Sequence, residues 1–509
     1  MSESPGPEVA FGPGALVVMA GYLVVMLLLG WLGRVSRKEE SLRDFYLGGS
    51  SFGLAVLFLT LFATQYSGNT LLGFAGRSYQ QGLTYVVAVT FMILVVSVLM
   101  VYAPRLFRLS RKFGYITPAD FVFHRFGSHP LRALSVLLLC WGLANYVLEQ
   151  LVAMGHAVEA ISGGRIGFMQ GVLLLALVML VYESLGGMRS VAWTDVVQGS
   201  LLLAGCGAVL WGILASGGGL PEAAASVAEH HPARLDAPGA RDLRVWISNL
   251  VLLGLGVAIY PHAIQRLFAA RELRSLRRSL ALMAFMPLVT TLLAVLIGFV
   301  GLGLFPELSG VESDRITVYV LGSMAGGSAV AYWLVVLVLA GVVAAIMSTA
   351  DSALLSMGSM LTKDLYLPYV ERGASRAKLL RVGKVLSWAI MALLILMAWI
   401  SLETESSLWL LIKLKLEFMV QLVPVLVLGV HWRGFSASAA LAGMVGGTVS
   451  TLVLWIGAAA GWWTDRSPAG ISAGVWGLAL NLALCVALSL WQRRPAAAAS
   501  DSRLSGSRG

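Results

Sequence analysis

The sequence predicts an all-α integral membrane protein with about 13 transmembrane helices. Of its 509 residues, 58% are hydrophobic and 12% are charged, whereas soluble domains carry about 45–50% apolar and about 25% charged residues. Thirteen apolar stretches are each close to the roughly twenty residues that cross a bilayer as a helix. The loops between them are too short for an extramembrane domain, so a soluble globular enzyme is excluded.

The predicted spans follow one another with short connections. They cover residues 14–33, 52–75, 83–103, 131–161, 166–185, 195–216, 245–265, 279–304, 329–352, 385–401, 408–430, 436–460 and 470–491. The three cysteines, Cys140, Cys206 and Cys485, lie inside these apolar stretches. They indicate buried side chains rather than a disulfide or metal framework, so we expect no cofactor.

Basic residues are concentrated on one side of the predicted membrane. That side has 27 of the 36 lysines and arginines, including Arg266, while seven lie on the opposite side and Lys413 and Lys415 lie inside a span. Because cytoplasmic loops carry the excess of basic residues, we expect the N-terminus outside and the C-terminus in the cytoplasm. The net charge of +10 is spread over many segments beside anionic lipid, so it does not indicate binding of nucleic acid.

Spans two to six and seven to eleven form two blocks of five, over residues 45–216 and 245–430. Because five is odd, the second block enters the membrane from the opposite face, as in inverted-repeat transporters. The other predicted regions are an outer N-terminus, first helix and linker (1–44), an outer loop (217–244), two peripheral helices (431–492) and a disordered cytoplasmic tail (493–509).

The first helix of each block is interrupted. Polar residues from Thr60 to Thr70 break the apolar run in block one, and Pro261 follows Gly254 and Gly256 in block two. Broken helices expose carbonyl groups and half-helix ends near the membrane midplane, where ions and polar solutes can bind. Packing of small residues between helices is the alternative for any single position, but it does not explain two matched clusters.

The ninth span ends with a cluster of oxygen-bearing side chains, namely Ser348, Thr349, Asp351 and Ser352. Hydroxyl and carboxylate oxygens are the ligands that hard cations prefer. Asp195, at the start of span six, is the natural partner, because a monovalent cation between two acids would relieve their repulsion. Two simpler interpretations stay open: Asp351 as a helix-end residue at the cytoplasmic interface, and Asp195 as a helix N-terminal carboxylate.

Span eleven carries three charged residues, Lys413, Lys415 and Glu417. Lys413 and Glu417 are four residues apart and could pair on one helix face. Lys415 is about 10 Å deep at 1.5 Å per residue, which is shallow enough to extend to the interface. Binding of a substrate carboxylate is the alternative for Lys415. For Glu149 on span four, a structural role and a functional role likewise both stay open.

Four segments resemble the signature regions of the sodium:solute symporter family and occur in that family's order. They are DFYLGGSSFGLAVLFLTLFATQYSGNTLLG (44–73), GGMRSVAWTDVVQG (186–199), YPHAIQRLFAA (260–270) and AAIMSTADSALL (344–355). The resemblance covers about residues 45–430. It implies a leucine-transporter-type core of two inverted five-helix repeats and alternating access driven by a sodium gradient.

The resemblance also implies site residues. The family's main sodium site matches Ala63, Tyr66, Ala345, Ser348 and Thr349, and a second cation site of some members matches Asp195, Asp351 and Ser352 together with Ser348. Candidates for solute contacts at the two breaks are Gln65, Asn69, Tyr260 and His262. His262 could titrate, although a packed or hydrogen-bonded histidine is the simpler interpretation.

The family implies sodium-coupled import of a small polar organic solute, with a carboxylate-bearing solute as the leading expectation and sodium as the coupling ion. The chain departs from the proline-transporter pattern at Gln65, where that pattern has an acid, and at Ser50, where it has an arginine. Expected partners are the solute, sodium and membrane lipid of a bacterial-type cell membrane, with no nucleic acid and no obligatory protein partner.

Two alternatives to sodium symport stay open. Proton coupling through Asp195 and Asp351 predicts uptake that responds to pH but not to sodium. A membrane sensor with a transporter-like domain would need an output domain, which we do not expect after the last span.

A multispan membrane enzyme would need a convergent nucleophile and base or a histidine and cysteine metal set, and the sequence offers neither, so we expect no enzyme.

Overall fold

The computed structural model describes residues 11–36, 41–215, 219–308, 310–325, 328–403, 408–463 and 467–492. Most of these residues are in α-helices. The helices are α1 Gly12–Val35, α2 Leu42–Leu47, α3 Leu54–Gln65, α4 Phe74–Gln81, α5 Val87–Phe113, α6 Pro118–Phe126, α7 His129–Ser162, α8 Phe168–Gly186, α9 Met188–Ala215, α10 Gly219–His230, α11 Ala240–Ala258, α12 Pro261–Ala269, α13 Leu273–Met283, α14 Leu292–Leu304, α15 Ile316–Ala325, α16 Ala329–Met360, α17 Arg376–Glu403, α18 Leu408–Met419, α19 Gly429–His431, α20 Ala437–Ala459 and α21 Ala473–Trp491.

Short 3₁₀ and π segments connect or extend these helices. The 3₁₀ segments are Gly48–Ser50, Gly82–Val86, Pro232–Arg234, Gly310–Arg315, Val420–Leu422 and Pro468–Gly470, and the π segments are Asn69–Gly73, Pro287–Thr291, Leu361–Val370 and Pro424–Leu428. The π segment Asn69–Gly73 follows the break after α3, whereas Pro424–Leu428 belongs to a helical run that continues α18 as far as His431.

In the described part of the chain, ten helical stretches are long and apolar enough to cross a membrane, or eleven if the bent pair of α11 and α12 is one span. The predicted count of 13 is therefore not confirmed. The two remaining predicted spans, 52–75 and 408–430, contain α3 and α18, each 12 residues long. α3 reaches about 18 Å at 1.5 Å per residue, which is less than the bilayer core of about 30 Å. α18 does not stop at Met419, because 3₁₀ and π turns with helical φ/ψ continue it to His431.

Both predicted breaks are present. After α3, Tyr66 leaves the helical region with φ −103° and ψ 95°, and a π segment follows. After α11, Tyr260 precedes Pro261, which has no N–H group to continue the ladder and instead begins α12. The axes of α11 and α12 differ by 43°.

An isolated parallel bridge joins the chain before α3 to the chain after α12. The N–H of Phe52 donates to the carbonyl of Ala269 at 3.1 Å, and the N–H of Arg271 donates to the carbonyl of Phe52 at 2.9 Å. α3 and α12 also pack directly against each other, and both pack against α16. The two broken helices are thereby held side by side, with α16 as their common support.

Candidate ion and solute site

The break after α3 lies against α16. The last carbonyl groups of a helix have no partner further along that helix, so the end of α3 presents backbone oxygens at this point. Gly68 is in contact with the side chain of Ile346, and a Cβ atom there would overlap that side chain. A glycine is therefore required for the broken helix to approach α16 so closely.

All five residues of the predicted main sodium site are fully buried at this contact. Ala63 and Tyr66 lie at the end of α3, while Ala345, Ser348 and Thr349 lie on α16, which packs against α3. The hydroxyl of Thr349 is buried without a well-formed hydrogen bond, although the phenol of Tyr146 lies nearby. A buried hydroxyl with free lone pairs is a suitable ligand for a hard cation.

Asp195 and Asp351 belong to one buried network rather than to helix ends. Asp195 lies about two turns into α9, and Asp351 lies well before the end of α16 at Met360. Both side chains are 0% exposed. The interpretation of Asp195 as a helix N-terminal carboxylate is therefore wrong, and Asp351 is not a hydrated helix-end residue.

The two carboxylates are held by hydroxyl donors. Ser348 donates to Asp195 Oδ1 at 2.5 Å, and Ser352 donates to Asp351 Oδ1 at 3.1 Å. Thr60 donates to Asp195 Oδ2 and Tyr182 donates to Asp351 Oδ2. The residues of the predicted second cation site are thus close together in the structure.

A buried arginine completes this network. Nη2 of Arg266 lies 2.7 Å from Asp195 Oδ2 and 2.5 Å from the Ser352 hydroxyl. Its guanidinium is 0% exposed, so Arg266 is a buried residue of α12 and not one of the solvated charges beside lipid that the count of basic residues assumed. No local sequence signal marks Arg266 as buried, because its burial follows from the packing of a nine-residue helix whose residues are all buried.

A narrow cavity of about 30 Å³ lies beside the break. Gln65 and Tyr260, two of the predicted solute contacts, line it together with Ser67, Tyr146 and Lys415. A single water needs about 10–15 Å³ on this measure, so the cavity admits water but no organic solute. Loading therefore requires neighbouring helices to separate.

The other two predicted solute contacts are placed differently. His262 is 0% exposed and does not line the cavity. Its ring packs against Tyr146 and Tyr260 with centroids 5.6 and 5.0 Å apart, and neither ring nitrogen has a hydrogen-bond partner among the described residues. It is a packed histidine rather than a hydrogen-bonded one. The side chain of Asn69 lies outside the described residues.

Lys415 does not extend to the membrane interface, so that expectation is wrong. Its Nζ lies 2.5 Å from Oε2 of Glu149, and the two side chains are 3% and 0% exposed. The same Nζ lies 3.6 Å from the centre of the Tyr146 ring. Among the described residues, Oε1 of Glu149 has no hydrogen-bond partner, so the pair has an unused acceptor.

Glu417 contacts the start of α21 and has a structural role. One carboxylate oxygen accepts a hydrogen bond from the backbone N–H of Gly474. That glycine packs against the backbone of Glu417, where a Cβ atom would lie 2.6 Å from it. Glu417 therefore joins α18 to the start of α21 and does not line the cavity.

Comparison with known proteins agrees with this architecture. A family model described as the sodium:solute symporter family matches residues 45–447. The chain is 28% identical over 447 residues to the sodium/pantothenate symporter of Escherichia coli, covering 86% of this chain and 90% of that protein. It is 28% identical over 438 residues to the high-affinity proline transporter of Bacillus subtilis, covering 85% of this chain and 90% of that protein.

Solved structures share the fold. A Na⁺-coupled sialic acid symporter in a substrate-bound outward-open state superposes with a TM-score of 0.77 at 18% identity, covering 94% of this chain and 97% of that one. A nucleobase-cation-symport-1 family transporter superposes with a TM-score of 0.55 at 16% identity, covering 88% and 94%.

Proposed function

Because the chain belongs to the sodium:solute symporter family, we propose that it imports a small polar organic solute together with sodium, and that the solute bears a carboxylate. Sodium-coupled solute transport is what the family and the pantothenate and proline relatives support. These relatives are transporters and not enzymes. The chain is a multi-pass membrane protein, and its bacterial relatives support a place in the bacterial inner membrane.

One observation carries the coupling proposal: a single helix break contributes to both sites. Ala63 and Tyr66 belong to the proposed sodium site, whereas Gln65 and Ser67 line the cavity. Sodium that holds the end of α3 against α16 would therefore also shape the wall of the solute cavity. Linkage is reciprocal, so the solute must strengthen sodium binding by the same factor.

Lys415 supports the proposal that the solute bears a carboxylate. Of the described residues that line the cavity, it alone carries a formal positive charge. Its partner Glu149 neutralises it in the closed cavity, and the ring of Tyr146 supports the ammonium group from one side. A solute carboxylate entering a widened cavity would bind this ammonium group, which a neutral solute could not do as strongly.

We also propose an orientation and a two-repeat organisation for the transport cycle. The excess of basic residues on one side supports an outer N-terminus and a cytoplasmic C-terminus. The matched breaks after α3 and α11 support inverted repeats over residues 45–216 and 245–430. In this cycle sodium binds from outside, the solute pocket is completed, and rocking of the repeats exposes both ligands to the cytoplasm.

The sodium proposal can be tested without knowing the solute. Unfolding of the purified protein is compared in sodium chloride and potassium chloride at equal ionic strength. A ligand that binds only the folded state raises stability by RT ln(1 + [L]/Kd), about 2.7 kcal/mol at a hundredfold excess over Kd. We expect a sodium-specific rise that Thr349→Ala lowers by about half at the same sodium concentration, because a tenfold weaker Kd leaves about 1.4 kcal/mol.

Ser356→Ala is the matched control, because Ser356 is another buried hydroxyl of α16 that has no hydrogen-bond partner among the residues that the structure describes. This variant should keep the sodium-specific rise. Equal stability of the wild-type protein in the two salts would refute sodium binding, and a response to pH in place of sodium would favour proton coupling.

The carboxylate proposal has a separate test. Pantothenate and proline are compared with their neutral alcohol or amide analogues as stabilising ligands in sodium chloride. We expect each acid that binds to exceed its neutral analogue, and Lys415→Met to remove the difference while Lys415→Arg retains it. A neutral analogue that stabilises the wild-type protein as well as the acid contradicts a carboxylate contact and leaves sodium binding untouched.

A further inference from the structure

Arg266 is the cation of the buried network around Asp195. Its guanidinium makes four hydrogen bonds: Nε to the Thr60 hydroxyl at 2.8 Å, Nη1 to the His262 carbonyl at 3.1 Å, and Nη2 to Asp195 at 2.7 Å and to the Ser352 hydroxyl at 2.5 Å. Arginine stays protonated in proteins. The network therefore contains a permanent positive charge that cannot diffuse away.

That charge lies at the predicted second cation site. Asp195 and Ser352 are two of the oxygen ligands predicted for that site, and one nitrogen of Arg266 bonds to both. The donors come from α12, whereas the two acceptors lie on α9 and α16. A sodium ion on the same oxygens would have to displace this nitrogen and would face the remaining guanidinium charge at close range.

We propose that Arg266 is a tethered cation that takes the place of a second sodium ion, so that this carrier binds a single sodium ion per transport cycle. The inference rests on the proposed function for the main sodium site only. The physical reason concerns Asp195, one of the two carboxylates of the network: a carboxylate buried among helices requires a positive partner. Here the chain supplies that partner itself.

The tethered cation also differs from sodium in what it does to the helices. Through Arg266, α12 is bound to Thr60 of α3, to Asp195 of α9 and to Ser352 of α16. A bound sodium ion would leave when the cytoplasmic side opens, whereas the guanidinium stays attached to α12. At the second cation site Arg266 therefore holds the broken helices together, but it does not couple transport to the sodium gradient.

A purely structural ion pair is the competing explanation. In that case removal of Arg266 would weaken the fold but would not create a place for sodium. Counting bound sodium distinguishes the two, because the proposal expects a vacated network to accept one ion and the competing explanation does not.

The test is equilibrium binding of radiolabelled sodium to the full-length purified protein. We expect one sodium ion per wild-type protein at saturation, and we expect Thr349→Ala to need about tenfold more sodium to bind that ion. Two ions per wild-type protein, of which one keeps its affinity in Thr349→Ala and is lost in Asp195→Asn, would overturn the proposal. This count needs no change at Arg266, so it holds even where an Arg266 variant does not fold.

The second arm of the test repeats the binding measurement on variants of Arg266. Arg266→Gln keeps hydrogen-bonding groups but removes the charge, and we expect it to bind two sodium ions, of which one is lost again when Asp195→Asn is added. Arg266→Lys, which retains a cation, should bind one. A folded Arg266→Gln protein that gains no ion refutes the proposal.

The two arms separate this proposal from the proposed function. A wild-type protein that binds no sodium contradicts the main sodium site. Arg266→Gln still decides the tethered cation in that case: one ion gained supports it, and none gained overturns it.

Discussion

The ion pair between Lys415 and Glu149 offers a prediction whose magnitude follows from burial. The two charged atoms are 2.5 Å apart and the side chains are 3% and 0% exposed, so neither group has access to bulk water. Removing one partner of such a pair leaves the other charge uncompensated and costs about 3–5 kcal/mol. Lys415→Met should therefore destabilise the protein by that amount.

Glu149→Gln should cost less than Lys415→Met. The ammonium group of Lys415 lies 3.6 Å from the centre of the Tyr146 ring, and a desolvated cation–π contact contributes up to about 2 kcal/mol. That contact remains when the carboxylate is removed. In the described part of the chain Glu149 has no comparable second partner, because its Oε1 atom makes no hydrogen bond there.

The double variant, Lys415→Met with Glu149→Gln, should be more stable than the sum of the two single losses implies. It leaves no unpaired charge, so we expect a coupling energy towards the upper end of the 0.5–3 kcal/mol range that is typical of residues in contact. The assay is equilibrium unfolding in mild detergent with added dodecyl sulfate, followed by tryptophan fluorescence. Single variants within about 0.5 kcal/mol of wild type, the range of ordinary surface substitutions, would show that the pair is hydrated and would refute the argument.

Two further predictions concern the contact between the broken helix and α16. Thr349→Ala should raise the sodium concentration for half-maximal stabilisation about tenfold or more, because losing one ligand worth about 1.5 kcal/mol corresponds to a tenfold change; an unchanged sodium midpoint contradicts this. Gly68→Ala should destabilise by about 1–3 kcal/mol, since its Cβ would overlap Ile346. Gly207→Ala, where nothing lies within 4 Å, should be neutral or stabilising by up to about 1 kcal/mol, and a loss there equal to that of Gly68→Ala would argue against the steric explanation.

Local sequence features were sufficient for the helices and their breaks. Apolar length predicts which stretches can cross a membrane, and ten of them are continuous helices of that length in the described residues. Pro261 ends α11 because it lacks an N–H group. The expected count of 13 was not confirmed, and one reason is that a hydropathy window does not detect a helix that stops half-way, as α3 does at Gln65.

Charged residues near span ends were harder to place. Arg266 follows a predicted span and was counted as a cytoplasmic charge, and Lys415 was expected to extend to the interface. Both expectations assume that a long basic side chain near the end of a span finds water. That assumption fails here because neighbouring helices cover these residues and supply carboxylates to them.

The sequence by itself determined the membrane-embedded helical class, the family and the residues that form the proposed sodium site, because these depend on apolar length, helix-breaking residues and short motifs. Only the tertiary structure decided which charges are buried and which partners they have. Arg266 and Asp195 are 71 residues apart in the chain, and Lys415 and Glu149 are 266 apart. Such pairs depend on how distant helices pack, and no local pattern records the depth at which a neighbouring helix presents its carboxylate.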